Sequence, residues 1–495
     1  MAPPHLFTAL GIFATALAAS NNATSSGAQG ACGELATLYP DLLLTRNSTN
    51  YTVEATHYWD MKANLKPLCI FQPTNADQVA SSVTIFNKYQ AHFAVRGGGH
   101  MNYAGSNNID DGVLLALNGL DHLEILEDEG LVELGPGNRW ENAYSALGAV
   151  GKYMIGGRLK SIGVPGLSLI GGVHYFANKY GYAMDNVMSY DVVLGNGTQV
   201  VANSTCNPDL FWALKGGANN FGVVTKFVSK TYDIPKISTT IQAFNESTVA
   251  DFIKAVCAFA LHDDPSVGAG AVITITYNAT TKEVSPSILG VQEGTESPPS
   301  KFAEFSSIPA VQRINNVTTP PQWHANLDSP FQMFRNSAGH HAIKPDFDAI
   351  WDMYTQWKAA VDDIADVEGL YPTFVLNMAP KSAASVAKTN GIGNTWGLDD
   401  DASYIWWQFS TGWASSKDDL RMTYWSRSLI EKFHAANKAK NLSSEFLYMG
   451  DAADWQDVFV GFAPGNVEKM KQIRDKYDTD GVFHKLNWGG FKLGY

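Results

Sequence analysis

The 495-residue chain has few cysteines and little charge. Its four cysteines form no Cys-x-x-Cys pair, which excludes zinc ribbons and thioredoxin-type redox centres. Charged residues make up 17% of the chain, the formal net charge is −13, and no Lys/Arg-rich run occurs. Binding to nucleic acid or to an anionic membrane surface is therefore not expected. With 45% hydrophobic residues, the chain is instead predicted to bury a large core.

Several common catalytic signatures are also missing. The chain has no Gly-x-x-x-x-Gly-Lys-Ser/Thr loop, no Gly-x-Ser-x-Gly elbow and no His-Glu-x-x-His motif, which argues against P-loop enzymes, α/β-hydrolases and zincins. The glycines of "RGGGHMNYAG" precede a predicted loop and strand rather than a helix, so a Rossmann dinucleotide site is not predicted. The adjacent His340 and His341 are interpreted as a loop pair, and no metal site is predicted.

The N-terminus is typical of a secreted protein. The apolar run within residues 1–19 ends in Ala-Leu-Ala, the small-x-small pattern of a cleaved signal peptide, and it is too short to span a bilayer. Residues 20–31 are predicted to be a disordered lead-in. In an oxidising compartment Cys32–Cys69 is a candidate disulfide, whereas Cys206 and Cys257 either pair or stay thiols. A glycoprotein is favoured by Asn-x-Ser/Thr sequons at Asn22, Asn47, Asn50, Asn196, Asn203, Asn245, Asn278, Asn316 and Asn441.

The apolar patterning predicts an α+β protein in two main parts. Residues 63–235 are predicted to form short strands and helices, including a helix capped by Thr74 or Asn75. A hairpin is predicted around residues 195–197, where Gly-Asn-Gly separates two apolar runs. Residues 236–440 alternate strands and amphipathic helices, which indicates an antiparallel sheet covered by helices.

Three glycine-rich loops lie within the first part: Arg96–His100, Ser161–Gly172 and Gly216–Gly222. Glycine lets backbone N–H groups approach a ligand closely and form anion-binding nests, so three such loops can cradle a pyrophosphate without a Rossmann helix. The alternative interpretation is that each loop is simply a tight turn between strands.

Several longer stretches resemble one family. "RGGGH", "SIGVPGLSLIGG", "YGYAMDNVMSYDVVLGNGTQVVAN", "NPDLFWALKGGANNFGVVTKF" and "KYDTDGVFHKL" are similar to the berberine-bridge-enzyme-like FAD-linked oxidases of the vanillyl-alcohol-oxidase/p-cresol-methylhydroxylase (PCMH) superfamily, and "GGRLKSIG" resembles their secreted fungal branch. The resemblance implies a two-part PCMH-type FAD-binding domain over residues 63–235 and a substrate-binding domain over residues 236–440. It also implies a C-terminal segment, residues 441–495, that returns to the FAD domain.

The resemblance implies a covalent flavin. His100 corresponds to the family's histidyl anchor, and Leu159 stands where many relatives carry a second, cysteinyl tether, so a single bond is expected. Ile162 is expected near the flavin, where relatives control oxygen access. The remaining cofactor-binding residues implied are Arg96, Gly97, Gly98, Gly99, Met101, Ser161, Gly163, Gly166, Gly171, Gly172, Gly222, Val223 and Val224.

The catalytic base is the point where this sequence departs from the family. Relatives often carry a tyrosine in a stretch similar to Tyr-x-Asn-Tyr-x-Asp, whereas "YMGDAAD" has Gly450 and Asp451 in place of the Asn and second Tyr. Asp451 is the first candidate for the base and Tyr448 the second, and strand alternation predicts that their side chains lie on opposite faces. The alternative for Asp451 is a surface turn.

An aromatic strand is the candidate for a substrate pocket. Tyr404, Trp406, Trp407 and Trp413 either line an apolar pocket or pack in the core.

The resemblance implies an FAD-linked oxidase. Hydride would pass from a small aromatic or polyketide-like substrate to the flavin, and O2 would reoxidise the flavin to give H2O2. The alternatives are a carbohydrate oxidase, a flavoprotein that templates a cyclisation without net redox chemistry, and a binding glycoprotein without flavin. A secreted monomer with no nucleic-acid or membrane partner is expected.

Overall fold

The computed structural model describes residues 26–329 and 331–494, so the predicted signal peptide lies outside the described residues. Residues 26–38 form a helix (α1) whose Ala28 and Leu35 are buried, so the predicted disordered lead-in is wrong from residue 26 onward. Cys32 of this helix forms a disulfide with Cys69, as predicted. Within the described ranges, no helix is both long enough and apolar enough to cross a membrane.

The first sheet is small and mostly parallel. Its strands run in the order β1-β2-β4-β3, and only β1 is antiparallel to its neighbour. The strands and the two helices among them are β1 (Leu43–Thr45), α2 (Tyr51–Ala55), β2 (Cys69–Phe71), α3 (Ala76–Tyr89), β3 (Phe93–Arg96) and β4 (Val113–Ala116).

Helix α3 forms as the sequence predicts. The Asn75 side chain accepts a hydrogen bond from the backbone N–H of Gln78 at 3.0 Å and caps the helix. Val79, Val83 and Phe86 recur at helical spacing and are buried. The helix therefore connects β2 to β3 with its apolar face in the core.

The second sheet is antiparallel, in the order β5-β6-β9-β7-β8. Strands β7 and β8 form the predicted hairpin, in which Gly197 adopts a φ of +81°. This part contains β5 (Leu123–Leu126), β6 (Leu131–Leu134), α4 (Trp140–Ala149), α5 (Val164–Leu169), α6 (Ala177–Tyr180), β7 (Val187–Val193), β8 (Gln199–Asn203), α7 (Pro208–Leu214) and β9 (Val223–Lys230).

The third sheet is the largest, and it is antiparallel. Its order is β13-β10-β12-β11-β16-β17-β15-β18, with β14 also paired to β17. The strands are β10 (Ile237–Ala243), β11 (Ala269–Tyr277), β12 (Val284–Glu293), β13 (Gln312–Thr318), β14 (Arg335–Ser337), β15 (His340–Ile343), β16 (Tyr371–Ala379), β17 (Tyr404–Trp413) and β18 (Ser443–Ser444).

Helices cover one face of this large sheet, which confirms the predicted α+β class. Side chains of α8, α11 and α13 share an apolar core with alternate residues of β11, β16 and β17. The helices of this part are α8 (Val249–Leu261), α9 (Ala303–Ser306), α10 (Pro320–Ala325), α11 (Phe347–Asp362), α12 (Lys381–Thr389) and α13 (Asp419–Ala439).

The C-terminal segment lies against the first part of the chain. After α14 (Asn466–Tyr477), a π-helical turn over Val482–Leu486 leads to Trp488, whose backbone N–H donates to the carbonyl of Phe93 in β3 at 2.6 Å. The Asn220 side chain donates to the carbonyl of Phe491 at 3.0 Å. These contacts place the end of the chain beside the glycine-rich loops.

Candidate active site

A cavity of about 410 Å³ lies where the two smaller sheets, the large sheet and the C-terminal segment meet. Its wall combines glycine-rich backbone with a few polar side chains, the composition of a site for a large ligand. Twelve of the predicted site residues line it: Gly97, Gly98, Gly99, His100, Met101, Gly163, Gly166, Gly222, Val223, Val224, Tyr448 and Asp451.

Four predicted cofactor residues are not part of this wall. The buried Arg96 guanidinium forms an ion pair with the Glu54 carboxylate. Gly171 and Gly172 adopt φ values of +113° and +87° in a turn packed on other side chains. Ser161 lies behind the wall, where its hydroxyl is within hydrogen-bond distance of the His100 ring. The second glycine-rich stretch, which contains helix α5, lines the cavity at positions between Ile162 and Ile170, whereas its last two glycines do not line it.

The three consecutive glycines have separate packing roles. A β-carbon at Gly97 would clash with Pro165, and one at Gly98 would clash with the backbone of Gly163. Gly99 has a φ of +66°, which favours glycine. The loop thus lies directly against Gly163 and the start of helix α5, while its own glycines line the cavity.

His100 follows this loop and is held in one orientation. Its ring stacks on Trp59, with centroids 5.4 Å apart and planes 10° apart. Its Nε2 lies 3.2 Å from Ser161 Oγ, and that hydroxyl donates its one hydrogen to the Asp328 carboxylate. Ser161 Oγ therefore accepts from Nε2–H, and Nδ1 carries the lone pair. Burial lowers the pKa of His100 to about 4, so the ring is neutral at pH 7.

Asp451 and Tyr448 lie in the same wall, so the prediction that they face opposite ways is wrong. Residues 445–451 form an extended segment and a turn rather than a strand, and the Asp451 N–H donates to the Tyr448 carbonyl at 3.1 Å. Asp451 Oδ2 accepts from Asn377 Nδ2 at 3.0 Å. Burial raises the pKa of Asp451, and the nearby Arg158 charge partly opposes this rise.

Gly450 packs closely against the Tyr448 ring. A β-carbon there would lie 2.5 Å from a ring carbon of Tyr448. The Tyr448 ring in turn stacks on Trp406, with centroids 5.4 Å apart. Burial raises the pKa of Tyr448, so its hydroxyl keeps its proton at neutral pH.

The aromatic side chains of strand β17 do not line the pocket. None of Tyr404, Trp406, Trp407 and Trp413 lines the cavity. Trp406 packs behind Tyr448, and Trp407 points to the opposite face, into the core beneath the helices. The residues of β17 that do line the cavity are Gln408 and Ser410.

The two adjacent histidines lie in strand β15 rather than in a loop, which corrects the prediction. His340 Nε2 lies 3.1 Å from the Tyr448 carbonyl oxygen, whereas the His341 ring stacks on His434 at 3.6 Å. The two imidazoles point to opposite sides of the strand and do not share a ligand position.

Some functional candidates gave little signal in the sequence. Trp59 and Asp328 reach His100 and Ser161 from distant parts of the chain, so no local pattern marks them. Arg158 lines the cavity and lies inside "GGRLKSIG". A lone arginine between glycines and an apolar residue was the only feature of the sequence that could have marked it as a site residue.

The cavity wall fits a large polar cofactor. Five buried side-chain oxygens of cavity-lining residues form no hydrogen bond with any described residue, and a β-carbon at Gly166 would meet only open space. Such groups need polar partners. They are Asn102 Oδ1, Ser106 Oγ, Asn107 Oδ1, Asn219 Oδ1 and Asn336 Oδ1.

Comparison with known proteins identifies that cofactor. A family model described as an FAD binding domain matches residues 67–203. Over 491 residues the chain is 30% identical to the FAD-dependent monooxygenase prx3 of Penicillium roqueforti, covering 94% of this chain and 93% of that protein. The chain belongs to the berberine-bridge-enzyme-like FAD-linked oxidases. As a member of this family, it is an FAD-linked oxidoreductase with a PCMH-type fold.

Solved structures share the same fold. The berberine-bridge-enzyme-like protein BBE-like 1 of Physcomitrella patens has a TM-score of 0.73 and 17% identity, over 92% of this chain and 97% of that one. Glucooligosaccharide oxidase of Acremonium strictum is described with a 6-S-cysteinyl, 8α-N1-histidyl FAD. It has a TM-score of 0.73 and 19% identity, over 93% of this chain and 98% of that one.

Proposed function

We propose that this berberine-bridge-enzyme-like protein holds FAD covalently through His100 and oxidises a small aromatic or polyketide-like metabolite. The observation that carries the proposal is the state of His100. Its ring is neutral, its Nε2–H is engaged by Ser161, and its Nδ1 lone pair is left for a bond. Bound FAD supplies a hydride acceptor, with O2 as the terminal oxidant.

A single covalent bond is proposed. Leu159 lines the cavity at the position of the second tether in many relatives, and no cysteine occurs among the described residues of the wall. The two free cysteines, Cys206 and Cys257, are outside that wall.

Asp451 is proposed as the base that takes a proton from a substrate hydroxyl or amine. Its Oδ2 is held by Asn377, and it is the only carboxylate among the described lining residues. Burial raises its pKa above that of an exposed aspartate, which increases its basicity. Tyr448 lies beside it, but its protonated hydroxyl makes it the weaker candidate for the base.

The fate of oxygen separates two versions of this function. An oxidase releases H2O2, whereas the name of the relative prx3 favours a monooxygenase, which places one oxygen atom in the product. Ile162 lines the cavity and is the residue proposed to limit the approach of O2. Turnover under ¹⁸O2 with peroxide measured in parallel distinguishes the two, and a panel of cello-oligosaccharides tests the carbohydrate-oxidase alternative.

Secretion is proposed on two observations. The Cys32–Cys69 disulfide is typical of an oxidising compartment. Seven of the eight sequon asparagines within the described residues are exposed, and only Asn203 is half-buried. Treatment of the secreted protein with an N-glycosidase should therefore lower its apparent mass.

The covalent bond is tested by acid precipitation of wild type and His100→Ala. Yellow colour should stay with precipitated wild type and leave the variant. His92→Ala is the matched control, because His92 directly precedes β3, the strand that leads to the His100 loop, but does not line the cavity. Release of all flavin from wild type, or retention in His100→Ala, would contradict the proposed linkage.

A further inference from the structure

Arg158 lines the cavity and has an unused hydrogen-bonding edge. It is the only lysine or arginine among the described residues that line the wall. Its Nη1 donates to Asn377 Oδ1 at 2.9 Å and to the Ala271 carbonyl at 3.3 Å. Its Nε and Nη2 donate to no residue that the structure describes, and no described carboxylate forms an ion pair with it. Asn377 stands between Arg158 and Asp451, so the two charges do not meet directly.

The free edge is the one that binds carboxylates side-on. Elsewhere in this protein, the Nε and Nη2 of Arg335 donate to the two oxygens of the Asp419 carboxylate. A guanidinium presents these two N–H groups in parallel, which matches the spacing of carboxylate oxygens. Arg158 has the same edge available, but in the cavity wall.

A buried chain of hydrogen bonds fixes the backbone of Arg158 from behind. The Phe176 N–H donates to His174 Nδ1 at 3.0 Å, so His174 Nε2–H donates to the Tyr153 hydroxyl at 2.9 Å. Tyr153 then donates to His324 Nε2 at 2.6 Å, and His324 Nδ1–H donates to the Arg158 carbonyl at 3.1 Å. Every member has a defined donor and acceptor, because a backbone N–H can only donate.

We propose that the Nε–Nη2 edge of Arg158 binds a carboxylate of the substrate, so that the substrate class is small carboxylic acids. This proposal rests on the proposed function and specifies its substrate. Arg158 fixes the substrate carboxylate at one point of the cavity. Asn377 links Arg158 to Asp451, because it accepts a hydrogen bond from Arg158 and donates one to Asp451. The rest of the substrate then extends toward the base.

Calorimetry on the holoenzyme tests this with benzoate as the probe and benzyl alcohol as its uncharged counterpart. Benzoate should bind wild type and perturb the visible flavin spectrum. Arg158→Met should weaken benzoate about 10- to 100-fold, since a hydrogen-bonded charge pair is lost, and leave benzyl alcohol unchanged. Arg158→Lys should fall between them, because an ammonium keeps the charge without the paired edge. Arg427→Met, on the exposed surface of α13, is the matched control.

Three results would overturn the proposal: no benzoate binding to wild type, equal benzoate affinity in Arg158→Met, or equal losses for benzoate and benzyl alcohol. Acid-stable yellow colour is recorded on the same samples. Loss of colour counts against the covalent flavin, whereas the calorimetric comparison reports on Arg158 alone, so the two failures are distinguishable.

Discussion

Replacing Asp328 with asparagine should slow the covalent attachment of FAD to His100. The carboxylate accepts the Ser161 hydroxyl hydrogen, and Ser161 in turn accepts His100 Nε2–H. When Nδ1 forms its bond, the imidazole becomes cationic, and the negative charge behind Ser161 stabilises it. A hydrogen bond to a charged group contributes about 1.5–3 kcal/mol, and each 1.4 kcal/mol is about tenfold in rate. The attachment should therefore slow by about 10- to 150-fold.

The assay follows acid-stable flavin over time after FAD is added to flavin-free protein expressed under riboflavin limitation. Ser161→Ala should slow the reaction similarly, because it interrupts the same path. Asp366→Asn is the control, since that exposed carboxylate pairs with Arg421 away from the cavity. Attachment at the wild-type rate in Asp328→Asn would refute the reasoning about the Nδ1 lone pair.

Three further predictions concern stability and catalysis. Gly98→Ala should lower stability by about 1–3 kcal/mol through its clash with the facing loop, whereas Gly166→Ala should leave the melting temperature of the flavin-free protein unchanged and slow its loading with FAD. Asp451 acts when deprotonated, so kcat/KM should rise with pH through an apparent pKa above that of an exposed aspartate. Asp451→Asn should abolish this rise and lower kcat/KM about 10²- to 10⁴-fold. Cys32→Ser should cost about 3–4 kcal/mol in urea unfolding, since the disulfide joins residues 37 apart.

Features encoded by adjacent residues were predictable from the sequence. The Asn75 cap and the β7–β8 hairpin each depend on local backbone chemistry, and each forms as expected, whereas the predicted loop Ser161–Gly172 contains helix α5. The His100 loop belongs to this group, because three glycines before a histidine already indicate close backbone contact.

Features that depend on distant neighbours were not predictable. Alternation placed Asp451 and Tyr448 on opposite faces because it assumes a continuing strand, and the chain turns there instead. Alternation puts Trp406 on the same face of β17 as Gln408 and Ser410, but it does not show which part of that face meets the cavity, and Trp406 packs against Tyr448 instead. The contact between Ser161 and Asp328 joins two loops with no shared sequence pattern.

The position of the C-terminal segment bears on the order of events during biosynthesis. Phe483, Asn487, Gly490 and Phe491 all line the cavity. Because translation proceeds from the N-terminus, every other segment of the wall has left the ribosome before these four residues emerge. A nascent chain that lacks this segment therefore presents an open trough, and the cavity closes only once residues 483–491 have joined its wall. A tag or truncation near residue 491 is therefore expected to impair flavin loading.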